Sequence, residues 1–305
     1  MSRGWVAILA VALMCSATVA RAQDDGARVY QLQPVGAQVV TAFGVVKRGN
    51  EGPDPGEVFG GVTTETNTAV FRWAGTFDLW GRQLNPFVIL PTGAVSSTPA
   101  GGASKTSRGL GDIQVGAVVG VLGEPALSRA EYATYRPKVS VGLLNRIYFP
   151  TGAYNSSQAV NFGANRFTYQ VGLPTAFLLS GASYVDPRLT TLELLPTLNF
   201  YTANDAPFQA VRTTRDPLFS LEGHLTHSFS RRVWISADML YREGGGTVTD
   251  GVPNHDAQSG LSAGASFVFP FAGPTNLSLT YEHVVARNDN GPIGWFFRAA
   301  LLAPF

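Results

Sequence analysis

The chain has 305 residues, 45 % hydrophobic and 14 % charged, with a formal net charge of +1. That is too apolar for a disordered chain and less charged than soluble domains, where about 25 % is usual. The balanced charge gives no reason to expect a nucleic-acid partner, and a single cysteine excludes both a disulfide framework and a cysteine-based metal site; no cofactor is implied.

Residues 1–22 read as a secretory signal. Arg3 supplies the positive start, residues 6–14 form an uninterrupted apolar run, and Ala20-Arg21-Ala22 makes a small-residue cleavage site before Gln23. The run is too short for a membrane helix, which needs about twenty apolar residues. Cleavage leaves a chain of residues 23–305 without cysteine, in which 23–34 stand ahead of the first strand as a periplasmic or lumenal segment.

Beyond this point the sequence alternates with a period of two. Arg232–Arg242 is the clearest case: Val233, Ile235, Ala237, Met239 and Tyr241 share one face, and Trp234, Ser236, Asp238, Leu240 and Arg242 the other. Similar segments give about twelve predicted strands, at 36–47, 67–80, 82–91, 111–122, 135–149, 165–179, 190–201, 216–229, 232–243, 258–269, 275–286 and 293–305. Most suit a tilted membrane crossing of about 9–11 residues and exceed the five or six usual in soluble sheets. The connections sort by rim. Long polar ones fall at 48–66, 92–110, 150–164, 202–215, 244–257 and 287–292, while the other rim has tight turns at 79–82, 230–231 and 272–274 and two longer connections at 123–134 and 180–189. In the repeated Pro-Thr-Gly of 91–93 and 150–152, Pro cannot donate to a ladder and Gly permits positive φ, so both are expected to stop a strand at the long-loop rim.

These features predict an all-β fold: a transmembrane antiparallel up-and-down barrel with long extracellular loops and short periplasmic turns, in the outer membrane of a Gram-negative bacterium. In hydrocarbon every backbone polar group must pair within the protein, so only a closed sheet suffices. Apolar faces then meet lipid and mixed faces line the interior. The predicted lumen carries Arg72, Lys138, Arg146, Arg166, Arg242 and Arg298 against Asp78, Asp112, Glu193, Glu222, Asp238 and Glu282, with Tyr148, Tyr201, Trp234, Phe87 and Phe296 also inward. Balanced charge argues against strong ion selectivity and for an internal network of ion pairs. A tight turn centred on Arg231 places His224 opposite Asp238 and Ser220 opposite Arg242. In the last strand, Trp295, Phe297, Ala299, Leu301, Ala303 and the terminal Phe305 share a face, resembling the signal by which the outer-membrane assembly machinery recognises barrels. Glu222, His224, Thr226, Ser228 and Asp238 have the composition of a hydrolase site, but such spacing arises wherever polar residues line a barrel, and no G-x-S-x-G elbow occurs.

Several stretches together resemble the phenol-degradation (meta-pathway) outer-membrane protein family, a group of transporter-like barrels. They are Tyr30-Gln31-Leu32-Gln33-Pro34-Val35-Gly36, Phe77-Asp78-Leu79-Trp80-Gly81-Arg82, Gly109-Leu110-Gly111-Asp112 and Leu122-Gly123-Glu124-Pro125-Ala126-Leu127. They continue with Pro150-Thr151-Gly152-Ala153-Tyr154, Asn161-Phe162-Gly163-Ala164-Asn165-Arg166, Asn199-Phe200-Tyr201-Thr202-Ala203-Asn204 and Asp216-Pro217-Leu218. The resemblance implies a monomeric membrane barrel passing small, often aromatic, compounds, and implies no catalytic residues. The expected function is a channel for small hydrophobic or aromatic solutes. The alternatives are a structural or adhesive barrel with a plugged lumen, and an outer-membrane hydrolase.

Overall fold

The computed structural model describes residues 25–54 and 56–305, so the expected signal at 1–22 lies outside the described residues. The strands in chain order are β1 (Gln38–Gly49), β2 (Val62–Gly75), β3 (Phe77–Leu79), β4 (Arg82–Pro99), β5 (Lys105–Leu110) and β6 (Gln114–Leu122). A short helix α1 (Arg129–Thr134) precedes β7 (Val139–Tyr148), β8 (Thr168–Gly172), β9 (Thr175–Ser180), β10 (Thr190–Tyr201), β11 (Thr213–Arg215) and β12 (Leu218–Ser228). The rest are β13 (Trp234–Gly244), β14 (Thr247–Thr249), β15 (Val252–Pro253), β16 (Gln258–Ala272), β17 (Thr275–Arg287) and β18 (Gly294–Pro304).

Because β3 extends β2, and the pairs β5–β6 and β8–β9 each make one stave, the sheet is a ring of twelve antiparallel staves. It closes where β1 pairs with β18 from Val39↔Pro304 to Gly49↔Gly294. No edge remains, as a membrane demands. β11, β14 and β15 form a separate small sheet on the long-loop rim.

The period-two pattern turns directly into an inside and an outside. Phe71, Ile147, Leu225, Tyr281 and Phe297 are exposed on the outer surface, whereas their polar neighbours Thr68, Thr226, Thr280 and Glu282 are buried within. The apolar face is the exposed one, which inverts the arrangement of a soluble sandwich and defines a transmembrane barrel. The turn near Arg231 gives the expected register, His224↔Asp238 and Ser220↔Arg242. At the Trp80-Gly81 turn both residues take positive φ (51° and 81°), the twist-matched geometry of a two-residue hairpin.

Two expectations about elements are corrected. Residues 92–110 are not a loop: β4 runs through Pro91-Thr92-Gly93 and pairs with β5 in a hairpin standing above the barrel. The expected strand at 165–179 is interrupted between Gly172 and Thr175. The connection after β6 contains α1, whose first turn is closed by a capping box between Ser128 and Glu131.

Candidate functional site

The lumen is filled from both ends. From the short-turn rim, the N-terminal segment 25–35 runs inside the barrel. Leu32, fully buried, is its apolar anchor, packed with Leu127, Leu178, Tyr184 and Leu189 and roofed by the stacked rings of Tyr132 and Tyr184. Its polar groups match the walls they face. The Asp25 carboxylate pairs with Arg146 on β7 at 2.6 Å and accepts the Tyr30 hydroxyl, while the Asp25 N–H donates to Glu222 on β12. The Arg28 N–H donates to Glu193 at 2.7 Å; its guanidinium donates to Thr226 and Ser228 and lies 4.5 Å over the Trp234 ring. The Gln31 amide donates to Glu193 and Thr191. Residues far apart in sequence thus hold the segment against β10 and β12.

From the long-loop rim, the connection between β1 and β2 folds inward. Glu51, 3 % exposed, takes Lys47 of β1 and Arg242 of β13 at 2.5 Å each. Asp54 pairs with Arg166, and the Gln258 amide donates to the Gly56 carbonyl. Burial opposes ionisation of Glu51, but the Arg242 and Lys47 charges hold its carboxyl below the ordinary range. At Glu57 the balance goes the other way: burial first, then the Asp54 charge, raise its carboxyl to about 7 despite Arg215 and Arg166.

Between these two plugs lies a cavity of about 380 Å³, reaching from Pro53 and Gly56 to Thr76 and Asn276 near the short-turn rim. Its wall is aromatic and basic on the β2–β7 side. Phe87 on β4 is buried at 1 % exposure, with the guanidinium of Arg72 at 5.3 Å from its ring centre and that of Arg146 at 5.2 Å. Gly116 makes this possible. It sits in register between Phe87 and Arg146, and a Cβ there would meet the Phe87 ring at 2.5 Å. Opposite stands an acidic row on β10, β12, β13 and β17. His224 bonds Asp238 at 2.8 Å and faces Glu222 at 3.7 Å, and Ser236 and Ser266 both donate to Asp238.

Of the residues expected in the lumen, Arg72, Arg146, Tyr148, Arg166, Glu193, Tyr201, Glu222, His224, Trp234, Asp238, Arg242, Glu282 and Arg298 face the barrel interior. Arg166 lies 4.9 Å over the Tyr201 ring near the long-loop rim, and Arg298 reaches Thr280. Three stand elsewhere. Asp78 is exposed at the β3–β4 turn, where it accepts the Gly81 N–H, and Lys138 is exposed just before β7; at a rim, alternation no longer separates lumen from solvent. Asp112 is buried but serves a loop, accepting the N–H groups of Gly152 and Ala164. Phe305 is exposed, with its N–H on the Gln38 carbonyl at the seam. Asp25, Arg28, Glu51 and Asp54 were not foreseen, because nothing in their local sequence says that those segments fold inward. Lys47 was within reach: it continues the inward series Val39, Thr41, Phe43, Val45.

The hydroxyls of Ser236 and Ser266 are given to the Asp238 carboxylate. Among the described residues, no group of three or more His, Cys, Asp or Glu is placed to hold a metal ion.

Fold and lumen together define a twelve-stranded transmembrane β-barrel with a double plug around an arginine- and aromatic-lined cavity. The chain belongs to the family described as "Putative MetA-pathway of phenol degradation", which matches residues 47–297. The barrel is similar to the COG4313 outer membrane channel from Pseudomonas putida F1, with a TM-score of 0.75 at 19 % identity, over 92 % of this chain and 100 % of that one. Weaker fold likenesses are the translocator domain of the autotransporter NalP from Neisseria meningitidis (TM-score 0.52, 11 % identity, 90 % of each chain) and the beta domain of the Bordetella autotransporter BrkA (0.51, 10 %, 89 % and 100 %). No curated protein matches the chain.

Proposed function

We propose that the protein is an outer-membrane channel admitting small hydrophobic or aromatic compounds, reached by way of the signal at 1–22 and assembled through the machinery that reads the terminal strand ending at Phe305. The long-loop rim then faces outward and the short-turn rim faces the periplasm. The observation that carries this reading is the cavity: a sizeable space walled by Phe43, Val70, Phe87, Ile89 and Tyr148 inside a ring whose own charges are mostly neutralised. Such a space suits a flat apolar solute better than a hydrated ion. The family and the likeness to an outer membrane channel support it. We read the protein as non-catalytic, in keeping with its likeness to an outer membrane channel.

Proteoliposomes loaded with a reporter enzyme for benzyl alcohol test the proposal. Uptake above that of empty vesicles is expected, and equal uptake would remove the transport reading while leaving the fold intact. The seated loop at Glu51 favours a second reading, a structural or adhesive barrel acting through its outer loops. Silence in single-channel recordings under every condition, with no solute uptake, would select it.

A further inference from the structure

Among the described residues, most cations lining the lumen near the cavity are held by side-chain partners: Arg28 bonds Thr226 and Ser228, and Arg298 reaches Thr280. Lys47 and Arg242 share Glu51, Arg166 takes Asp54, and Arg146 takes Asp25. Arg72 makes neither an ion pair nor a hydrogen bond with any described residue; it lies against the face of Phe87 and is drawn to the Asp25 carboxylate only from beyond ion-pair distance. Yet it stands on β2, inward and only partly exposed, between Thr41 and Ile89 in the ladder, and borders the cavity. The acid nearest in the network, Asp25, is already committed to Arg146 and Tyr30. Two guanidinium groups thus flank one ring with a single carboxylate between them. A half-buried cation that must share its anion is under-compensated, and a guanidinium presents a planar fork that fits a carboxylate at two points.

The rest of the wall says what should be attached to that anion. Phe43, Val70, Phe87, Ile89 and Tyr148 give the same space an apolar and aromatic lining. We infer that the cavity is a binding site for small aromatic carboxylates, with the carboxylate on Arg72 and the ring beside Phe87. This deepens the channel reading above and rests on it: the solute drawn into the lumen is an aromatic acid in its anionic form, not only a neutral hydrocarbon.

Calorimetric titration of the full, detergent-solubilised barrel at pH 7 separates the elements of this claim with three probes. Benzoate carries ring and charge, benzyl alcohol the ring alone, and acetate the charge alone. Benzoate is expected to bind at least tenfold more tightly than either of the others. Arg72→Gln should weaken benzoate about tenfold and leave benzyl alcohol within twofold. Phe87→Leu should weaken both ring compounds and leave acetate unchanged. Heat-modifiable migration on an SDS gel establishes that each variant is folded. Equal affinity for benzoate and benzyl alcohol, equal affinity for benzoate and acetate, or benzoate binding indifferent to Arg72→Gln would each overturn the inference. Benzyl alcohol uptake into proteoliposomes would meanwhile still stand for the channel, so the two failures are distinguishable.

Discussion

Replacing Glu51 by Gln should open the outer end of the lumen. The carboxylate sits on the inward-folded loop, while its two partners, Lys47 and Arg242, sit on strands fixed by their ladders. The barrel itself therefore does not depend on this contact, but the seat of the loop does. Removing one partner of a buried ion pair costs about 3–5 kcal/mol, because the remaining charge is left uncompensated. Here two cations lose their shared anion and face each other at under a tenth exposure. At about 1.4 kcal/mol per factor of ten, the ratio of lifted to seated loop should rise by about 10²–10⁴-fold. In planar bilayers the wild type should conduct little, and Glu51→Gln should show discrete steps of larger conductance. Glu65→Gln, an exposed carboxylate on the same rim, should behave as wild type. If Glu51→Gln is folded by heat-modifiability and conducts no more than wild type, the loop is not the outer barrier.

Leu279→Arg should destabilise the barrel by about 2–4 kcal/mol near the lipid midplane, whereas Thr280→Arg, one residue on and inward, should be tolerated far better; urea titration in lipid checks this, and equal losses would refute the facing assignment. Glu57 predicts a pH response: its carboxyl is raised to about 7 in the seated loop and returns to about 4.5 when the loop lifts. The protonated form therefore favours the seat, fully below about pH 4.5, and this contribution is lost as pH rises through 7. Conductance should rise between pH 5 and 8, and Glu57→Gln should flatten the profile. Gly294→Ala should weaken the closing seam by about 1–3 kcal/mol, since φ is +108° and an added Cβ would lie 1.8 Å from the Arg48 carbonyl oxygen. Gly60→Ala, with open space around it, should not change the gel-shift temperature.

What the sequence disclosed followed from periodicity. Wherever a strand crosses the membrane, one face must be apolar, and Arg232–Arg242 or Trp295–Phe305 show it residue by residue. The β4–β5 hairpin escaped because its sequence does not alternate cleanly. Val95-Ser96-Ser97-Thr98 carries no continuous apolar face to detect, although its β-branched residues favour a strand. The lumen was legible in the same way and failed at Asp78 and Lys138, which lie at the rim, where parity loses its meaning. That 23–34 could lie in the lumen was open from the sequence, but the contacts that seat the plugs were not legible. Arg28 and Thr226 are 198 residues apart, and Glu51 meets Arg242 across 191, so no local pattern announces either contact.

The segment that occupies the lumen leads straight into β1, and β1 is one half of the seam whose other half is the final strand. Until the last residues dock, the sheet is a trough into which the leading end can settle sideways; afterwards it is enclosed by a ring that its own tail completed. Its tether at Gln38 is fixed to the periplasmic rim. Any withdrawal is therefore one-sided, like a cork on a string: the segment can swing out only toward the periplasm. Whatever admits a solute from outside must be a separate movement from whatever lets it leave.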